Sequence, residues 1–160
     1  MTEFEQKPTI NFYKANDPYG VFSNFDTKHP FTTDGVFWPS SEHYFQAKKF
    51  AGTPYEEIIR TAASPAISAK LGRSREFPIR PDWEEVKDDV MRTALYEKFT
   101  QNMEAGIVLM NTGNAKLVEH TVNDSYWGDG GDGSGKNMLG ILLMELRAEL
   151  HRERFDYDWE

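Results

Sequence analysis

Apolar residues recur at helical spacing in two long stretches of the chain. Val86, Val90, Ala94 and Leu95 form a stripe that Met91 and Phe99 widen, which predicts a helix over residues 82–100. Leu139, Leu142, Leu143 and Leu146 repeat the pattern and predict a closing helix over residues 137–151. Shorter helices are expected over 40–51, 54–62, 65–71 and 103–111, with Gly72 ending the third and Gly113 the fifth. Asp82 with Glu85 has the form of a capping box in which Asp replaces Ser or Thr. Strand character is confined to short runs. Ile10-Asn11-Phe12-Tyr13 and Lys116-Leu117-Val118-Glu119-His120 each read as a strand. Phe31-Thr32-Thr33 and Val36-Phe37-Trp38 flank Asp34-Gly35, which signals a hairpin. No internal repeat or linker divides the chain. The pattern predicts one α+β domain over residues 10–151, mostly helical with short strands and a β-hairpin, between loose tails at 1–9 and 152–160.

Composition narrows the chemistry. The 160 residues are enough to bury a core. Cysteine is absent, so thiolate nucleophiles, disulfides and Cys-ligated metals are excluded. A formal charge of −8 disfavours broad, non-specific nucleic-acid binding, which draws its affinity from many phosphate contacts. It leaves room for a small anion in one local pocket. The acidic start Met1-Thr2-Glu3-Phe4-Glu5 lacks the basic and apolar regions of a signal peptide, and no apolar run reaches the length of a membrane span. A soluble, cytoplasmic protein without membrane partners is the expectation.

Candidate chemistry concentrates in two stretches. In Ser40-Ser41-Glu42-His43-Tyr44-Phe45-Gln46-Ala47-Lys48-Lys49-Phe50, either serine can cap the helix. Glu42, Gln46 and Lys49 then fall at i, i+4 and i+7 and share one face. A carboxylate, an amide and an amine beside aromatic rings suit a chemical site; a solvated Glu–Lys ladder would have the same spacing. The second stretch is Trp127-Gly128-Asp129-Gly130-Gly131-Asp132-Gly133-Ser134-Gly135-Lys136-Asn137. It nearly spells a P-loop, but Asn137 stands where Ser or Thr would hold magnesium. Its glycines, Trp127 before them and the helix start beyond them favour a phosphate-binding loop over a flexible surface turn. The spacing of His29, His43, His120 and His151 fits no metal site, so no metal or cofactor is expected. Arg73, just after Leu71-Gly72, could bind an anion or serve a helix dipole. Trp83, at the start of a long helix, fits a core position better than a ligand-stacking one.

Taken together, Gly20-x-Phe22-Ser23-Asn24-Phe25, the run Trp38–Ala47 with Lys49-Phe50, and Leu71-Gly72-Arg73 resemble the YbiA-like, or NADAR, family of N-glycosidases. The segments 117–121, 123–131 and 135–140 extend the resemblance, which covers residues 10–150 in order. It implies cleavage of a ribose C1–N bond to an exocyclic amine. The substrate implied is either a phosphorylated ribosylamino-pyrimidine of riboflavin synthesis or an ADP-ribosylated guanine, free or carried on modified DNA or RNA. Under this resemblance Glu42 protonates the leaving amine or steadies positive charge at C1, or Lys49 instead traps the opened sugar as a Schiff base; against both stands a simple Glu42–Lys49 pair. Asp124 orients ribose hydroxyls or water, Trp127 and Trp83 stack the base or wall the pocket, and Arg73 with the glycine loop holds phosphate. Asn24, Trp38, Gln46, Gly128, Gly135 and Asn137 complete the implied substrate contacts. A non-catalytic reader of ADP-ribose or nucleotides would use the same residues without turnover. The sequence leaves the oligomeric state open.

Overall fold

The computed structural model describes residues 5–157, with side chains through Arg154. Among the described residues, six α-helices, one short 3-10 helix (Gly20–Phe22) and four short strands make it α+β, as the hydrophobic pattern implies. Residue contacts divide it into two units, 24–103 and the residues up to Ser23 together with those from Glu104 onward.

In the unit 24–103, β2 (Phe31–Thr33) and β3 (Val36–Trp38) form the expected antiparallel hairpin, pairing Phe31 with Trp38 and Thr33 with Val36. Asp34 (φ 50°) and Gly35 (φ 78°) make the turn, the two consecutive left-handed residues that a tight hairpin needs. Four helices follow: α1 (Ser41–Lys48), α2 (Pro54–Arg60), α3 (Pro65–Arg73) and α4 (Trp83–Gln101). Ser40 caps α1 by accepting from His43 N at 3.1 Å, and Ser64 caps α3 by accepting from Ile67 N at 3.2 Å. The helix α1 is central: it packs on α2, α3 and α4. Phe31, Trp38, Tyr44, Ala47, Phe50, Tyr55, Ile59 and Ala94 form the core around it. Every residue from Ser41 to Ala47 is buried, polar ones included.

Two expectations of helix ends differ. Asp82 makes no side-chain cap to α4. Its carboxylate instead takes Arg80 Nε at 2.6 Å and Nη2 at 2.9 Å, a nearer and charged donor pair. Gly72 does not stop α3, which runs on to Arg73. A buried charge network, absent from the sequence reading, ties loop to helix: Lys98 Nζ lies 3.3 Å from Asp26 Oδ2, and His29 Nδ1 donates to the same oxygen at 2.7 Å. Burial pushes Lys98 down to about 8 against the pull of Asp26.

In the other unit, β1 (Ile10–Phe12) pairs in parallel with β4 (Leu117–Glu119). The helix α5 (Met103–Asn111) ends before Gly113 at φ 62°, as the sequence predicts. The last helix, α6 (Met138–Tyr157), covers β4 with Leu139, Leu142, Leu143 and Leu146 and continues six residues beyond the expected end at 151. Of the expected tails, residues 1–4 and 158–160 lie outside the described residues. Lys7 N is bonded to Asn114 Oδ1 at 2.9 Å.

Candidate functional site

The face carried by Glu42, Gln46 and Lys49 is not a solvated ladder. Their exposures are 8%, 7% and 8%, and three polar groups buried this far need specific partners. Gln46 Nε2 donates to Glu42 Oε1 at 2.8 Å. Lys49, the first residue past α1, keeps helical backbone angles (φ −57°, ψ −26°), so its side chain stays on the Glu42 face. Its Nζ donates to Gly72 O at 3.4 Å and lies over the rings of Phe45 (5.8 Å) and Trp83 (6.0 Å). Burial is the main force lowering Lys49 to about 8. Arg75 and Arg73 add to it, while Glu42 and Glu84 oppose it. An amine in this state is partly neutral near physiological pH.

Asn24 fixes where this face begins. Its backbone oxygen accepts from Glu42 N at 3.1 Å, and its Oδ1 accepts from Ser41 Oγ at 2.8 Å. The neighbour His43 is turned away and fully used. Its Nδ1 accepts from Ser40 Oγ at 2.7 Å and its Nε2 donates to Ala62 O at 3.0 Å, with burial holding the ring below its ordinary pKa. Lys48 also leaves the site: its Nζ pairs with Glu56 Oε1 at 3.2 Å and covers Trp38 at 5.2 Å.

Gly72 is required by Gln46 rather than by a helix end. A Cβ there would meet Gln46 Oε1 at 2.0 Å and Cδ at 2.7 Å. That Oε1 atom is buried and accepts no hydrogen bond. The glycine therefore lets Gln46 lie flat against α3 while its Nε2 reaches Glu42.

Trp83, 5% exposed, packs on Phe45 with ring centroids 5.0 Å apart and walls the Lys49 amine. Trp38 has a different job from the substrate contact expected of it. It is 1% exposed, stands edge-on to Tyr44 at 5.0 Å and donates Nε1 to Thr33 Oγ1 at 3.0 Å. No ring face is left for a ligand. Arg73 is exposed at the end of α3. Arg75, which the sequence reading passed over, donates Nη1 to Gly72 O at 3.0 Å and to Ser74 O at 3.1 Å. Its signal was the second arginine of Arg73-Ser74-Arg75.

The remaining expected residues cluster in the other unit. Asp124 Oδ1 accepts from Tyr126 N at 2.9 Å and Trp127 N at 2.8 Å, so half of its carboxylate shapes the turn. Trp127 is half-buried and edge-on to Tyr126 at 5.0 Å. Several backbone donors of the glycine loop bond within the chain. Asp129 Oδ1 accepts from Gly131 N at 2.8 Å and from Thr121 N at 3.0 Å, and Gly135 N donates to Asp129 O at 2.8 Å. Met138 N and Leu139 N, at the start of α6, donate to Tyr126 O and Trp127 O at 3.0 Å each. The phosphate cradle expected of Gly135 and the helix start is thus not what these N–H groups form, because they donate to the chain itself, and Gly128 O accepts from Asn137 N at 2.9 Å. A Cβ on Gly135 would stand 2.5 Å from Gly128 O, so the two glycines serve backbone-to-backbone contact.

Asn137 is likewise a stitch and not a ligand contact. It is 7% exposed, at φ 54°; its Oδ1 accepts from Glu119 N at 3.0 Å and its Nδ2 donates to Leu117 O at 2.9 Å. Asn137→Ala should lower stability by about 2–4 kcal/mol, because two backbone groups of β4 lose buried partners. Urea unfolding checks this; an unchanged midpoint would show that the stitch is dispensable. Among the described residues, no group of three or more His, Asp or Glu converges in a way that could hold a metal ion.

Residues 11–151 match the NADAR domain. The chain is 55% identical over 149 residues to N-glycosidase YbiA of Escherichia coli (strain K12), covering 93% of this chain and 92% of that protein. An N-glycosidase of Nostoc punctiforme is 42% identical over 145 residues, covering 89% and 92%. A riboflavin biosynthesis protein of Vibrio vulnificus is 41% identical over 143 residues, which are 88% of this chain but 38% of that one. The NMR structure of the E. coli protein YbiA superimposes with a TM-score of 0.87 at 53% identity, over 97% of this chain and 92% of that one.

Proposed function

The chain belongs to the NADAR domain family, and on that premise we propose that it is an N-glycosidase, hydrolysing the ribose C1–N bond to an exocyclic amine. The substrate is a ribosylamine of nucleotide type: a phosphorylated ribosylamino-pyrimidine or an ADP-ribosylated guanine. The observation that carries the reading is the Lys49 amine, buried and lowered to about 8, on the same face as the buried Glu42 carboxylate.

The proposed chemistry uses protein groups and water. When the ribosylamine ring opens, C1 becomes an imine carbon. Neutral Lys49 Nζ adds to C1, the bond to the base amine breaks, and a proton moves to the departing nitrogen. Water then hydrolyses the lysyl imine, releasing sugar and restoring the amine. Glu42 carries protons between these steps and steadies positive charge at C1. Gln46 holds the carboxylate by donating Nε2 to Oε1. Asn24 anchors the first turn of α1. The assignment of Asp124 to ribose hydroxyls or water rests on the family resemblance alone.

A non-catalytic reader of ADP-ribose is the second reading. Burying a carboxylate and an amine carries a desolvation cost that a reader has no chemical reason to bear. The two separate on turnover. Purified protein given each substrate in turn should release free amine and ribose phosphate or ADP-ribose from at least one; binding of both without release would leave the reader. No helix among the described residues is long and apolar enough to cross a membrane, and a nucleotide-type substrate suits a cytoplasmic enzyme.

Gly72→Ala probes the Gln46 contact. A Cβ displaces Gln46 and with it the grip on Glu42, so turnover should fall on the order of tenfold to a hundredfold. The melting temperature should hold, since Ala suits a helix better than Gly by about 1 kcal/mol. Unchanged turnover would mean that Gln46 does not position Glu42.

A further inference from the structure

Three arginines of this acidic chain are paired with nearby carboxylates. Arg80 grips Asp82 with Nε at 2.6 Å, Arg92 grips Asp89 at 2.6 Å, and Arg60 pairs with Glu57. Arg73 and Arg75 have no ion pair with a carboxylate among the described residues, and unlike Arg147, which bonds Thr112 Oγ1 and Ala115 O, they stand beside a buried lysine. Arg75 and Lys49 instead converge on one atom, Gly72 O, at 3.0 Å and 3.4 Å. A helix C-terminus favours a nearby cation, but one oxygen gains little from two that repel each other. The two backbone carbonyls occupy the Nη1 donors of Arg75. Its Nε–Nη2 edge, two parallel donors that match a phosphoryl group, is left open.

We propose that Arg75, with Arg73, forms the subsite for the phosphoryl group of a phosphorylated ribosylamine, at the end of α3 beside Lys49. The identity of that ligand rests on the N-glycosidase reading; the anion site itself does not. Around Lys49 the cations Arg73 and Arg75 face the carboxylates Glu42 and Glu84, so the three cations outnumber the two anions and a bound dianion adds counter-charge where it is short. It also adds Arg75 to the expected Arg73 and moves phosphate recognition away from the glycine loop, where Gly130, Gly131, Gly133 and Gly135 N–H groups bond within the chain.

Two measurements on the full chain test this. Inorganic pyrophosphate should bind the native protein, seen by calorimetry or amide shifts, and should bind Arg75→Ala about tenfold to a hundredfold more weakly. Arg75→Lys should recover part of the loss as a point charge without the fork. Arg92→Ala, an exposed arginine on α4, should bind like the native protein. Absence of binding to the native protein, or equal binding by Arg75→Ala, overturns the subsite. The second measurement compares kcat/KM for a ribosylaminopyrimidine with and without its 5′-phosphate. The native preference for the phosphorylated form should collapse about tenfold or more in Arg75→Ala. An equal loss on both forms makes Arg75 only a cap of α3 and overturns the proposal. A lost pyrophosphate site with an unchanged preference shows a site for free anion, and overturns its assignment to substrate. If no ribosylamine is turned over by the native protein while pyrophosphate binding depends on Arg75, the N-glycosidase reading fails and the anion site stands.

Discussion

Glu42→Gln is expected to reduce turnover by on the order of a hundredfold or more while leaving the protein folded. The two side chains have the same shape, and the new amide oxygen can still accept from Gln46 Nε2, which now reaches Glu42 Oε1 at 2.8 Å. What disappears is the negative charge and the ability to take and return a proton. Exchanging a buried carboxylate for a neutral amide removes a desolvation cost, so the melting temperature should hold or rise. Ligand affinity should persist, because the substitution keeps the side chain's shape and changes its chemistry. Turnover near the native rate would remove Glu42 from the mechanism.

Lys49→Arg should be nearly as damaging, for a complementary reason. Arginine keeps the positive charge beside Phe45 and Trp83 but stays protonated at any pH the fold tolerates, and a guanidinium forms no imine with C1. The native pH profile follows from the same group. Burial first, then Arg75, lowers Lys49 to about 8, so the reactive neutral amine grows as pH rises through that value and levels off above it. The rate should rise from pH 6 toward about 9 and then flatten, with the acid limb missing from any residual activity of Lys49→Arg. A native rate that falls across this window would mean that the charged ammonium is the working form.

Much of the fold was legible because it is local. Asp34-Gly35 announces its hairpin through backbone angles only such residues accept readily, and the Leu139–Leu146 stripe announces α6. The site helix was legible as well, since Glu42, Gln46 and Lys49 share a face by spacing alone. That the face is buried was not, because burial of α1 is decided by α2, α3 and α4 packing around it. Trp38 was misplaced for the same reason: a tryptophan beside a serine-capped helix reads alike whether Tyr44 and Thr33 enclose it or not. The glycine loop misled through an ambiguity in glycine itself. Room for a ligand and room for Gly128 O against Gly135 demand the same missing Cβ. The Asp26–Lys98 contact joins residues far apart in sequence, and no local pattern marks it.

Reductive trapping during turnover tests the central claim most directly. Borohydride added while substrate is being consumed reduces any imine between sugar and lysine to a stable secondary amine. Peptide mass spectrometry should then place a ribosyl-phosphate or ADP-ribosyl adduct on Lys49. Lys48 should stay unmodified, since it points away toward Glu56 at 3.2 Å. Active enzyme that yields no adduct, together with full activity in Lys49→Arg, would contradict the lysine route and leave Glu42 assisting direct attack by water.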